Sequence, residues 1–145
     1  MLGVKKYTQT YIDECRSKVN VQLSTYKNLI TTARIPVGKN ETSLNVAIET
    51  FEPVFFNNMV LLLDALFVHR LRMIEGKDGN PLNEVRVLCN SMLNNNNIMC
   101  ADNIIKLNPA TSVLKYEVGN EIALCEAEFL RIFKAFFAEI ERKYV

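Results

Sequence analysis

The chain has 145 residues, of which 49% are apolar and 23% charged, and its formal net charge is +1. That composition excludes intrinsic disorder, and a chain of this length buries enough surface to fold as one domain without a metal or a disulfide framework. Near neutrality argues against a dedicated nucleic-acid or polybasic membrane binder, whose cationic footprint is much larger.

The opening segment carries Lys5 and Lys6 but passes directly into Thr8, Gln9, Thr10, Asp13 and Glu14, without the apolar stretch of a secretory signal. The expected location is therefore intracellular, in the cytoplasm. Tyr7, Tyr11, Cys15, Val19, Leu23, Tyr26 and Ile30 recur every third or fourth position. This predicts a long amphipathic helix ending near Ala33, before Pro36 and Gly38. Residues 1–34 hold six Lys or Arg against two Asp or Glu, a net +4, so the remainder carries −3.

Residues 42–52 fit both the strand and the helix period, and helix is the reading taken here. Pro53 suits the first turn of a second helix running to Glu75. Within it, residues 54–74 include Asn57, Asn58, Asp64, His69, Arg70 and Arg72, too many polar side chains for a lone bilayer span. This segment is expected to be a central helix surrounded by others. Gly76 and Gly79 stop it, and Asn80 followed by Pro81 is an N-cap with a first-turn proline, opening a third helix up to Asn94. Leu82, Val85, Leu88, Cys89 and Met92 form its apolar face, so the second and third helices make an antiparallel hairpin.

Asn94 to Asn97 read as a solvated loop. Residues 104–107, 113–118 and 122–124 are short β-like runs separated by Asn108-Pro109 and Gly119-Asn120, which predicts a small ribbon. From about Glu126 to Tyr144, Phe129, Phe133, Phe136, Phe137 and Ile140 define a final amphipathic helix. The expected fold is one mainly α domain over 1–145, a four-helix-like bundle with an antiparallel β ribbon before the C-terminal helix.

Candidate chemistry gathers around the hairpin. His69, Arg70, Arg72, Glu75, Asn83 and Arg86 flank its turn, and Asp64 lies a little earlier inside an apolar run. If both helices flank the turn symmetrically, Arg86 faces His69 and Arg72 across the pair. The favoured outcome is an interhelix network in which Arg72, Glu75, Glu84 and Arg86 pair with each other, because half-buried charges are costly alone. The alternative is an open groove whose guanidinium groups bind a carboxylate, phosphate or nucleotide, with spare positive charge as its signature. Asp64 demands a buried partner such as an arginine, an interface or a solvent-filled pocket.

No cofactor or metal is expected. His69 is the sole histidine, and the glycines form neither G-x-G-x-x-G nor a Walker loop. Cys15, Cys89, Cys100 and Cys125 have neither knuckle nor scaffold spacing and are read as reduced thiols, while Asn40-Glu41-Thr42 carries no weight as a glycosylation acceptor.

Three functions follow. The leading one is a self-associating interaction or regulatory domain, a homodimer supported by an exposed apolar patch on the first or last helix. The second is a module for a small anionic ligand or nucleotide at the Arg/His cluster. The third is a hydrolase or ribonuclease using His69 with Arg86 and Asp64. A membrane partner is not expected, nor a nucleic acid.

Overall fold

The computed structural model describes residues 3–34 and 41–145 and contains five helices among them: α1 (Gln9–Arg34), α2 (Glu41–Leu66), α3 (Arg72–Glu75), α4 (Pro81–Asn94) and α5 (Glu126–Tyr144). The breakers expected at Pro36 and Gly38 lie outside the described residues. α2 packs against α4, α5 and α1, while α4 also meets α5. Phe56, Leu63, Phe67, Val85, Leu88, Phe129, Ile132, Phe136 and Ile140 form the centre of one continuous core.

The helices at either end follow their apolar stripes. Ile12, Cys15, Val19, Leu23 and Tyr26 are the buried face of α1, and seven residues from Phe129 to Tyr144 that of α5. At α4 the Asn80 side chain accepts from the Leu82 and Asn83 amides and Pro81 stands in the first turn, as the sequence predicts. α2 and α4 run antiparallel: the Cys89 thiol lies 3.7 Å from the Val60 carbonyl, and Met92 and Leu93 sit beside Val54 and Asn57.

Four expectations require correction. First, Pro53 lies inside α2 and does not open a new helix. An interior proline removes one backbone hydrogen bond, but aromatic packing holds the helix on either side. Tyr26 stacks on Phe51 and Phe55, and Phe56 is fully buried. Second, the helix ends at Leu66 and does not reach Glu75. No glycine or proline stops it there. The Val4 amide donates to the His69 carbonyl at 2.7 Å and the Leu71 amide to Val4 at 2.8 Å, so a long-range bridge extends the backbone where periodicity predicts helix.

Third, the β ribbon is absent. The described residues form no strand, only the isolated bridges Val4–Arg70 and Ile98–Glu121. Side chains occupy the backbone groups that a ladder would use. Asn57 donates to the Ile122 carbonyl at 2.8 Å and accepts from the Leu124 amide at 3.1 Å, and Asp102 accepts from the Ile104 and Ile105 amides. The apolar runs reflect burial of Ile105, Leu114, Ile122 and Leu124 in the core. The turn expected at Gly119-Asn120 is present, with Gly119 at φ +95° and the Asn120 amide bonded to Glu117.

Nor is α2 surrounded. Phe56, Met59, Val60 and Leu63 are buried, but Val46, Phe51 and Val54 are exposed on the opposite flank. An 18-residue window within Thr42–Leu66 reaches a mean hydropathy of 1.4, so the helix is long and apolar enough by length and composition to cross a membrane. Here its buried face packs on α4 and α5 instead.

The turn before α4 depends on Gly79. Its φ is +85°, and a Cβ there would stand 2.5 Å from the Lys106 carbonyl oxygen. Gly79→Ala is therefore expected to cost about 1–3 kcal/mol of stability, from a positive φ and a collision with backbone. Urea denaturation measures this, and an unchanged midpoint would contradict it.

Candidate functional site

Turning the chain at Leu66 brings Arg70 inward. Its Nε donates to Glu75 Oε1 at 2.7 Å and its Nη1 to the Phe67 carbonyl at 3.0 Å. Nη2 lies 3.0 Å from Asp64 Oδ1, an ion-pair contact whose geometry does not make a hydrogen bond. The guanidinium also stands 5.6 Å from the centre of the Phe136 ring.

Glu75, at the end of α3, is the hub. Arg86 donates to it twice, from Nη2 at 2.7 Å and Nε at 3.1 Å, and Asn83 Nδ2 adds a third bond at 2.7 Å. Its backbone carbonyl accepts from Asn80 Nδ2 at 2.7 Å and Lys143 Nζ at 2.6 Å. The Tyr144 hydroxyl reaches the Leu71 carbonyl at 2.8 Å. The cluster thus joins α2, α4, α5 and, through Val4, the N-terminal segment.

Of the predicted residues, Asp64, Arg70, Glu75, Asn83 and Arg86 converge, whereas His69 and Arg72 are exposed and lie outside the cluster. Arg70 takes the place expected of Arg72. Glu84 also departs from the expected pairing: its carboxylate accepts from the Val113 and Leu114 amides at 2.8 and 2.9 Å. The loop-capping role of Glu84, and the parts played by Lys143, Tyr144 and Asn57, carry no mark in the sequence. An amphipathic pattern gives no sign that a side chain caps a distant loop.

The buried charges close. Asp64 and Glu75 balance Arg70 and Arg86, and Lys143 joins them from the half-buried edge through the Glu75 carbonyl. Burial is the largest single influence on Glu75 and opposes its ionisation. The Arg86 hydrogen bonds, the Arg70 and Arg86 charges and Asn83 together outweigh it and hold the carboxyl below its ordinary value. Burial, followed by the Glu75 charge, pushes the Tyr144 hydroxyl up to about 12. Both groups are thereby fixed in their neutral-pH states, which suits a structural network better than proton transfer.

Four surface hollows of about 220 to 470 Å³ are lined entirely by other residues. Among the described residues no group of three His, Cys, Asp or Glu is placed to hold a metal. All four cysteines are free, with Cys15 and Cys89 buried and Cys125 exposed.

Glu84 supplies a separate test. Burial raises its pKa, while the Leu114 and Val113 amides pull it back in part. Glu84→Gln turns an amide NH₂ toward a backbone N–H and leaves a buried donor unpaired, an expected loss of about 1–3 kcal/mol. Because the folded-state pKa is raised, the wild type carries the burial penalty of the charge above that pKa and sheds it as the pH falls. The stability gap between wild type and variant should therefore widen toward acid. A pH-independent gap in urea melts would count against this account.

The fold and cluster define the chain as a small helical-bundle domain with a charge-balanced internal network. We find no match to a protein family, to a curated protein or to a solved structure.

Proposed function

We propose that this chain is a non-enzymatic interaction domain that self-associates through the exposed flank of α2. The observation that carries this reading is the mismatch between composition and burial in α2. In its most apolar window, only 28% of residues are buried. Val46 and Val54 are each 57% exposed, Phe51 43%, and Leu93 of the neighbouring α4 68%. Val54, Leu61, Met92, Leu93 and Ala123 share a hollow of about 350 Å³ beside this flank, whose lining also includes Asn57, Asn58, Asn97 and the carboxylate Glu121. Apolar surface gathered in one place marks an interface.

A second copy is the favoured occupant because Ala47, Thr50, Phe51, Val54, Asn58 and Leu61 lie along this flank without a charge. Such a face meets its own image without repulsion, as a two-fold contact requires. The net charge of +1 adds no barrier. The anionic-ligand reading is weakened at Arg70 and Arg86, whose guanidinium groups are engaged by Glu75, while Arg72 stands exposed and apart from them.

Sedimentation equilibrium from low micromolar to near-millimolar protein tests the reading, with a dimer at twice 16.6 kDa expected. Val54→Glu and Leu93→Glu, both at exposed positions, should weaken association at least tenfold while keeping the helical circular dichroism. A monomer throughout the range, or association indifferent to both changes, would overturn it. Flotation of the protein with vesicles would redirect the same face to lipid.

A further inference from the structure

A second surface lies at the end of the bundle where the chain turns from α2 to α4. Four separate segments meet there. Val4 pairs with His69 and Leu71, the Tyr7 amide donates to the Tyr144 carbonyl at 2.7 Å, and the Lys106 amide donates to the Lys77 carbonyl at 3.1 Å. Lys143 reaches the Glu75 carbonyl from α5. The fold thereby gathers Lys5, Lys6, Arg72, Lys77, Lys106 and Lys143. All but the half-buried Lys143 are exposed, and none has an ion-pair partner among the described residues.

The charges at this end do not cancel. Arg70 and Arg86 are matched by Asp64 and Glu75, and Arg142 by Glu139. Over residues 3–7, 68–80, 102–107 and 142–145, only Asp78 and Asp102 then stand against the six cations, a net +4. The whole chain is +1, so the rest of the molecule carries −3. Near neutrality in the sequence conceals this polarity, because the six cations come from separate stretches. Both acids are already engaged. Asp78 accepts from Asn80 at 2.7 Å, and Asp102 from the Ile105 and Ile104 amides. Those bonds, aided by Lys143 near Asp78 and Arg72 near Asp102, hold both carboxyls below their ordinary values.

Apolar side chains stand out among these cations. α3 is a single turn in which Glu75 is buried and Ile74 packs on the core, leaving Met73 87% exposed. Ile104, beside Asp102 and Lys106, is 58% exposed. None of the four hollows described reaches Arg72, Met73, Lys77 or Lys143. A cationic end with protruding apolar side chains and no groove fits a planar surface better than a peptide or a small ligand, both of which need a concave site. We infer that this end of the bundle docks on an anionic lipid bilayer, with its cations among the headgroups and Met73 and Ile104 in the interface. Each cation near such a surface strengthens binding roughly fivefold, so attachment is reversible and salt-sensitive. The site lies beyond the C-terminal end of α2, away from Val54, and does not depend on self-association.

The test is co-sedimentation of the full chain with vesicles of phosphatidylcholine alone and of phosphatidylcholine containing about one-third phosphatidylserine. Binding is expected to the anionic vesicles only, and to be lost in high salt. It should fall at least tenfold on the double change Lys5→Glu and Lys77→Glu, and roughly threefold on Met73→Ser. All three positions are exposed, so helical circular dichroism should be unchanged. Val54→Glu, on the α2 flank, should leave vesicle binding as it is. Equal binding to both vesicles, binding to neither, or binding indifferent to the charge reversals or to Met73→Ser overturns the inference. Vesicle binding lost on Val54→Glu but kept in the double variant belongs to the α2 flank and also overturns it. Binding of a double-stranded oligonucleotide through the same cations, without binding to vesicles, would assign this end to nucleic acid and overturn it as well.

Discussion

Glu75→Ala is expected to lower stability by about 3–5 kcal/mol, the range typical of breaking a buried ion pair from one side. The side chain of Arg70 is 0% exposed, and without Glu75 its charge is left with Asp64 alone, through a contact that is not aligned as a hydrogen bond. Asn83, itself fully buried, loses its carboxylate acceptor, and Arg86 loses both of its bonds. The effect measures desolvated groups stranded by the substitution, so it exceeds the net worth of the network. Its pH dependence follows from the sign of the shift. A carboxyl held below its ordinary 4.5 contributes stability above that value and loses it as the pH falls through the folded-state pKa. The wild type should therefore lose stability in acid more steeply than Glu75→Ala. Urea melts at neutral pH and in acid measure both, and a variant with the wild-type midpoint would remove the network as a source of stability.

The sequence reading fared best where local chemistry and burial agree. α5 has its apolar stripe and charged face over the predicted residues, and α4 begins at the predicted cap. It went astray where a distant segment decides. Nothing local ends α2 at Leu66; the pairing of Val4 with residues 69–71 does. The runs at 113–118 and 122–124 alternate as a ribbon would, but Glu84 and Asn57 bond their amides from other helices. Alternation reports which side chains are buried, and the backbone partner is left open.

The same reason explains the partial success at the charged cluster. Polar residues near the turn were legible as a network in sequence, because unpaired buried charge is costly. Which arginine enters depended on continuing the helix past Leu66. An uninterrupted helix places His69 and Arg72 toward Arg86, whereas the observed turn carries Arg70 inward and leaves those two exposed. Asp64, unusual within its apolar run, finds the arginine partner that its position demands.

Phe67 follows α2 directly and marks that turn in the core. Phe67→Ala should cost about 3–5 kcal/mol, the range for removing a fully enclosed phenyl ring. Its ring is 0% exposed and lies 5.0 Å from Tyr7, 5.6 Å from Tyr11, 5.8 Å from Phe136 and 5.6 Å from Phe137, centre to centre. Removing it opens a cavity between the N-terminal segment and α5, where the main chain also supports Arg70 through the Phe67 carbonyl. The chain has no tryptophan, so near-ultraviolet dichroism from Tyr7 and Tyr11 should report the loosening directly. Leu29→Ala, at a 60% exposed position on α1, provides the contrast, with an expected loss below about 1 kcal/mol since surface substitutions are mild. Equal losses for the two substitutions would mean that Phe67 does not occupy the enclosed site described, while a large loss confined to Phe67 would tie the end of α2 to the packing of both chain ends.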